Sequence, residues 1–124
     1  MIIIACSGFC QTAIDYYNKG KDLANLGEYS QALKEFDKAI EADANYAKAY
    51  NYRGIMKENT GDSRGATADF DKCIALSPDF AAAYYNRGIS YLRLGKSEEA
   101  CADFNKALSM GYKFAGTALN ENCK

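Results

Sequence analysis

The segment Tyr84–Ala107, YYNRGISYLRLGKSEEACADFNKA, occurs in three approximate copies, and that recurrence constrains the fold more than any other feature of the chain. Tyr50, Arg53, Gly54, Gly61, Ala66, Asp69, Phe70 and Lys72 precede Tyr84, Arg87, Gly88, Gly95, Ala100, Asp103, Phe104 and Lys106 by 34 residues each. Tyr16, Lys19, Gly20, Gly27, Ala32, Glu35, Phe36 and Lys38 precede those by the same interval, and neither step needs a gap. A fixed period of this length with a glycine near mid-unit marks an all-α array of helical hairpins. Each hairpin buries its apolar face only against its neighbours.

Apolar spacing at 3.6 residues and the stop signals between the runs place the helices. The expected spans are Ile14–Leu26 and Tyr29–Ala42, then Ala47–Asn59 and Ser63–Leu76, then Ala81–Leu94 and Ser97–Ser109, with a short final helix within Lys113–Asn122. Gly27, Gly61 and Gly95 fall where a left-handed residue ends a helix without a Cβ penalty. Ser97 is expected to cap the helix that follows it, and Glu98 and Glu99 sit in its first turn, where the dipole favours negative charge. Ser77-Pro78 closes the second unit, and Gly111-Tyr112 stands in the equivalent place of the third.

Gly20, Gly54 and Gly88 fall inside helices, where each costs about 1 kcal/mol relative to alanine. Three copies of that cost imply a steric reason, a partner helix passing too close for a side chain. Ala32, Ala66 and Ala100 are small for the same crossing, and Ala39, Cys73 and Ala107 form a second small-residue layer. Tyr16, Tyr50 and Tyr84, with Phe36, Phe70 and Phe104, are the expected large core residues. Arg53 and Asp69 lie equidistant from Gly61, and Asp69 and Arg87 equidistant from Pro78. The spacing therefore predicts a ladder of alternating charge through Arg53, Asp69, Arg87 and Asp103, read as register pairs between helices, with ligand binding as the alternative.

From about Ala13 to Phe114 the chain resembles tetratricopeptide repeats. The resemblance implies a right-handed superhelix with first helices lining its concave side. Three units at 13–46, 47–80 and 81–114 follow, closed by a capping helix at 115–124. Family geometry puts Tyr17, Asn18, Lys21, Asn51, Tyr52, Ile55, Glu58, Tyr85, Asn86, Ile89 and Arg93 on or near that side. Such a set implies a peptide or protein partner, since tyrosine supplies rigid contact area and asparagine pairs with peptide groups. An ordinary solvated face would also carry these residues. Members that grip a chaperone tail ending in Glu-Glu-Val-Asp use a lysine and an asparagine on the first helix, an asparagine on the third, and a lysine and an arginine on the fifth. The matching places hold Tyr17, Lys21, Tyr52, Ala82 and Asn86, and none agrees.

Five cysteines are many for a reducing compartment. Cys101 and Cys123 lie eleven residues either side of Tyr112, so antiparallel packing of the last two helices brings them level. A disulfide there would contribute about 3 kcal/mol, acting mainly on the unfolded chain. Two reduced cysteines packed together are the alternative. Some bacterial envelope tetratricopeptide proteins are similar here, with an alanine-cysteine pair on the last return helix, like Ala100-Cys101, and a cysteine near the C-terminus. That resemblance implies a disulfide and a periplasmic, outer-membrane-associated or secreted location, with the cytoplasm as the alternative. Residues 1–12 read as a leader, either the end of a signal peptide beginning upstream of Met1 or a loosely docked segment. Cys6 and Cys10 are a weak metal or redox pair with no second pair to complete it.

Catalysis has little to work with. Histidine is absent, which removes the commonest general base. No phosphate-cradling glycine loop, nucleophile–base pair or ligand cluster stands out, so neither an enzyme nor a metal or cofactor is expected. Fifteen basic against sixteen acidic residues force no basic face, and nucleic acid is not an expected partner. No apolar run is long enough to span a bilayer. The readings that remain are a non-catalytic interaction module and a scaffold that self-associates through its exposed repeat-stacking faces.

Overall fold

The computed structural model describes residues 2–124, with side chains described from Thr12 onward. Seven helices follow in order: α1 (Ile2–Asn25), α2 (Tyr29–Ala42), α3 (Ala47–Asn59), α4 (Ser63–Leu76), α5 (Ala81–Arg93), α6 (Ser97–Ser109) and α7 (Phe114–Asn122). Four of the expected spans are found as read, α5 stops one residue before Leu94, and α7 begins at Phe114. α1 begins at Ile2, ahead of the expected Ile14. The side chains of residues 1–11 of the expected leader, Cys6 and Cys10 among them, lie outside the described residues.

The turns within hairpins share one chemistry. Gly27, Gly61 and Gly95 have φ of 79°, 91° and 78°, and Gly111 before α7 has φ of 92°. The residue after each glycine donates its N–H five residues back, Glu28 to Leu23, Asp62 to Lys57, Lys96 to Tyr91 and Tyr112 to Ala107, at 2.8–3.0 Å. These bonds close the helix ends on their own carbonyls. They also correct the capping assignment. Lys96 occupies the N-cap of α6 without a side-chain bond, and Ser97 is already helical, because the turn at Gly95 sets where the next helix starts. Asp62 does cap α4, accepting from the Gly65 N–H at 2.9 Å.

α1 packs on α2, α3 on α4 and α5 on α6, while α2 meets α3, α4 meets α5, and α7 covers α6. Phe36, Phe70 and Phe104 are the largest fully buried side chains. Each lies over the helical glycine of its own hairpin: a Cβ on Gly20, Gly54 or Gly88 would come within 2.8, 2.6 or 2.6 Å of the ring. The close neighbour is thus a phenyl ring rather than the backbone of the facing helix. Ala32, Ala66, Ala100, Ala39, Cys73 and Ala107 are fully buried around these rings. Cys73 is a small apolar filler whose thiol is pushed up to about 11 by desolvation.

The charge ladder forms as two separate forks. Arg53 donates Nε and Nη2 to the two Asp69 oxygens at 2.8 and 2.7 Å, and Nη1 to Asp37 at 2.9 Å. Arg87 repeats this on Asp103, at 2.8 Å for both bonds, and on Asp71 at 2.8 Å. The expected Asp69–Arg87 rung is replaced by Asp71–Arg87. At about 100° per residue, Asp69 and Asp71 point to nearly opposite sides of α4, the first toward α3 and the second toward α5. Tyr50 and Tyr84 lie beneath the guanidinium groups, 5.6 Å from ring centre in each case. Their hydroxyls donate to the carbonyls of Ala44 and Pro78, tying each first helix to the joint before it. The first unit has no fork: Lys19 is exposed, and Glu35, buried, has one oxygen 3.4 Å from Lys38 and the other without a partner.

Candidate functional site

α1 touches α3 and α3 touches α5, whereas no comparable contact joins α2 to α4 or α4 to α6. The stack therefore curves with α1, α3 and α5 on its inner side. Along that side the side chains fall into three groups.

At the N-terminal end Tyr17 is 7% exposed and packs against Phe36, Tyr46 and Tyr52, with ring centres 6.0, 4.9 and 5.7 Å away. The Lys21 ammonium sits over Tyr17 and Tyr52, at 5.3 and 5.7 Å. Burial, reinforced by Tyr52 and Tyr46, pushes the Tyr17 phenol up to about 12. In the middle, Asn86 donates to the side-chain carbonyl of Asn51 at 3.1 Å, joining α5 to α3. At the C-terminal end Tyr85 lies 5.7 Å from Phe104 and 5.1 Å from Tyr112.

Between α3 and α5 a cleft of about 170 Å³ is lined by Ile55, Glu58, Asn59, Phe70, Asn86, Ile89 and Arg93. Phe70 and the two isoleucines supply its apolar lining. Glu58 is 8% exposed and accepts from Ser63 at 2.8 Å and from the buried Ser90 hydroxyl. It also holds Arg93, whose Nη1 is 3.2 Å away while the side chain remains 60% exposed. The carboxylate that pairs with this guanidinium is itself held from two helices.

The expected groove residues thus divide. Tyr17, Asn51 and Glu58 are buried, while Lys21, Tyr52, Ile55, Tyr85, Asn86 and Ile89 are half-buried and Arg93 and Asn18 are exposed. Phe70, Ser63, Ser90 and Tyr112 complete the site and were not expected in it. Ser90 had a legible signal: it stands where the other units carry Asp22 and Met56, just as Glu58 stands where they carry Ala24 and Leu92. Two departures from the repeat meet in one hydrogen bond.

Stacked antiparallel hairpins around a curved inner face define a helical-repeat solenoid. The chain belongs to the tetratricopeptide repeat family, whose sequence profiles match residues 13–46 and 70–102. Similar solved structures include the second TPR domain of Spaghetti bound to the HSP90 peptide SRMEEVD, 27% identical over 82% of this chain and 94% of that one, TM-score 0.80. YrrB, described as a TPR protein with an unusual peptide-binding site, is 25% identical over 88% of this chain and 57% of that one, TM-score 0.83. The Arabidopsis OM64 TPR domain, 22% identical over 91% of this chain and 98% of that one, shares the fold with TM-score 0.85. No curated protein sequence matches the chain. The family is in general one of non-catalytic interaction modules, and no helix among the described residues is long and apolar enough to cross a membrane.

Proposed function

We propose that this chain is a non-catalytic module that binds a peptide segment of a protein partner along its inner face, recognising an aliphatic residue next to a carboxylate. The α3–α5 cleft carries this reading: Phe70, Ile55 and Ile89 offer an apolar slot, and Glu58 aims Arg93 across its rim. Lys21, at the other end of the face, adds a second cation. Two similar structures are named for peptide binding, which supports a peptide as the partner's form. The residues matching the chaperone-tail grip differ from it at all five places, so that way of holding a terminal carboxylate is not the expected mode. A peptide array with aliphatic residues flanked by glutamate or by lysine tests this. The glutamate-flanked set should be retained by the native chain and lost with Arg93→Glu. Retention that ignores the flanking charge, or survives Arg93→Glu, overturns it.

Self-association is the second reading, favoured by Phe114 and Leu108, 71% and 42% exposed at the C-terminal end. Light scattering over a concentration series separates the two, because a constant monomer excludes assembly. We further infer an oxidising compartment such as the periplasm, the outer-membrane surface or the exterior. The Cys101–Cys123 bond supports it. Free alkylation of both cysteines in unreduced protein from its native source would remove that support.

A further inference from the structure

We propose that the Cys101–Cys123 bond is a thiol-exchange site, and that its reduction by a dithiol releases the closing helix α7 from the end of the array. The two cysteines, with Cα atoms 5.8 Å apart, join α6 to the residue that ends α7. They are half-buried and line an open hollow of about 560 Å³ together with Ser97, Glu98, Asn105 and Lys124 among others. A thiolate can therefore approach the bond without unfolding the chain. Cys73, with no exposed surface, has no such access.

What the bond holds in place is weakly held otherwise. α7 is nine residues long, too short to be helical alone. It is secured by Ala115 and Ala118, buried, and Leu119, half-buried, against Ala100, Phe104 and Ala107. Among the described residues no ion pair joins it to another element. Ala32, Phe36 and Ala39 of the first unit stand at the same repeat positions as the α6 residues that α7 covers. Tyr112, at the root of α7, also packs on Tyr85 of the inner face. Loosening α7 thus exposes an apolar stacking face and frees one end of the groove.

The exchange balances simply. One thiolate of the dithiol attacks a sulfur of the pair, forming a mixed disulfide and expelling the other cysteine as thiolate, which takes a proton. The second thiol of the reductant, deprotonated, then displaces the remaining cysteine and closes the reductant's own disulfide. Two electrons pass to the protein, and Cys101 and Cys123 end as thiols.

Hydrogen exchange of the full chain, with and without dithiothreitol, tests the proposal. Amides of α7 should exchange about a hundred-fold faster after reduction, the factor by which a tie of this loop length suppresses opening. Amides of α3 and α4 should be unchanged. The double variant Cys101→Ser/Cys123→Ser should show the fast α7 pattern from the start and no response to dithiothreitol. Equal α7 protection in both redox states overturns the proposal. So does reduction that proceeds only in urea, or a response to dithiothreitol that persists in the double variant.

Discussion

Arg53 grips Asp69 through two parallel hydrogen bonds of 2.8 and 2.7 Å, and the same guanidinium reaches Asp37 of the preceding hairpin at 2.9 Å. One side chain thus fixes both the register within a hairpin and the offset between hairpins. The bonds to Asp69, outweighing the opposing burial, hold Arg53 above its already high ordinary range, so its guanidinium is charged at every working pH.

The two ends of this fork should contribute very unequally. The Asp69 side chain is 5% exposed and that of Asp37 52%. Asp69→Ala removes two of the three bonds of a half-buried guanidinium, together with the partner of Lys57 at 3.2 Å, and is expected to cost about 3 kcal/mol. Asp37→Ala, at the surface, should cost under about 1 kcal/mol. Urea unfolding of both variants measures the difference, and equal costs would show that the fork is not the register device described.

Gly54 lies beneath the Phe70 ring, and an added Cβ would stand 2.6 Å from it. Helix propensity favours Gly54→Ala by about 1 kcal/mol, but overpacking of this kind costs about 1–3 kcal/mol. The net expectation is a lower Tm. Pairing the change with Phe70→Leu should recover part of the loss. A raised Tm for Gly54→Ala alone would contradict the ring-over-glycine account.

The first unit offers the opposite experiment. A buried Glu35 oxygen has no partner there, and Lys19 stands where the other units have arginine. Lys19→Arg supplies the missing fork and should raise stability by about 1 kcal/mol in urea unfolding. No gain would mean that the extra methylene of Glu35 places its carboxylate out of reach.

Tyr17 sets an alkaline limit. Its phenol is raised from 10.0 to about 12 in the folded chain, chiefly by burial. The unfolded chain therefore loses this proton first, and the stabilisation present below pH 10 declines as pH rises toward 12. Tyr17→Phe should flatten the fall in unfolding free energy across that window. An unchanged slope would place the effect on other tyrosines.

Much of this fold is legible in the sequence because one packing problem is solved three times, and a residue that must be glycine under Phe36, Phe70 and Phe104 is visible by repetition. The forks were legible only in part. Equidistance from a turn predicts Arg53–Asp69 but says nothing of side-chain direction, so the partner of Arg87 across the joint, Asp71, escaped. The candidate site is least legible, since specificity lies in residues the units do not share. Glu58 and Ser90 are such departures, but only their placement on facing helices shows that they bond and together orient Arg93.

The claim that the inner face binds an acidic, aliphatic peptide is tested most directly by amide chemical-shift mapping of the labelled chain with a glutamate-flanked leucine peptide. Shifts concentrated at Ile55, Asn86, Ile89 and Arg93 on α3 and α5 are the predicted result. Shifts confined to α2, α4 and α6, or none at saturating peptide, would contradict it.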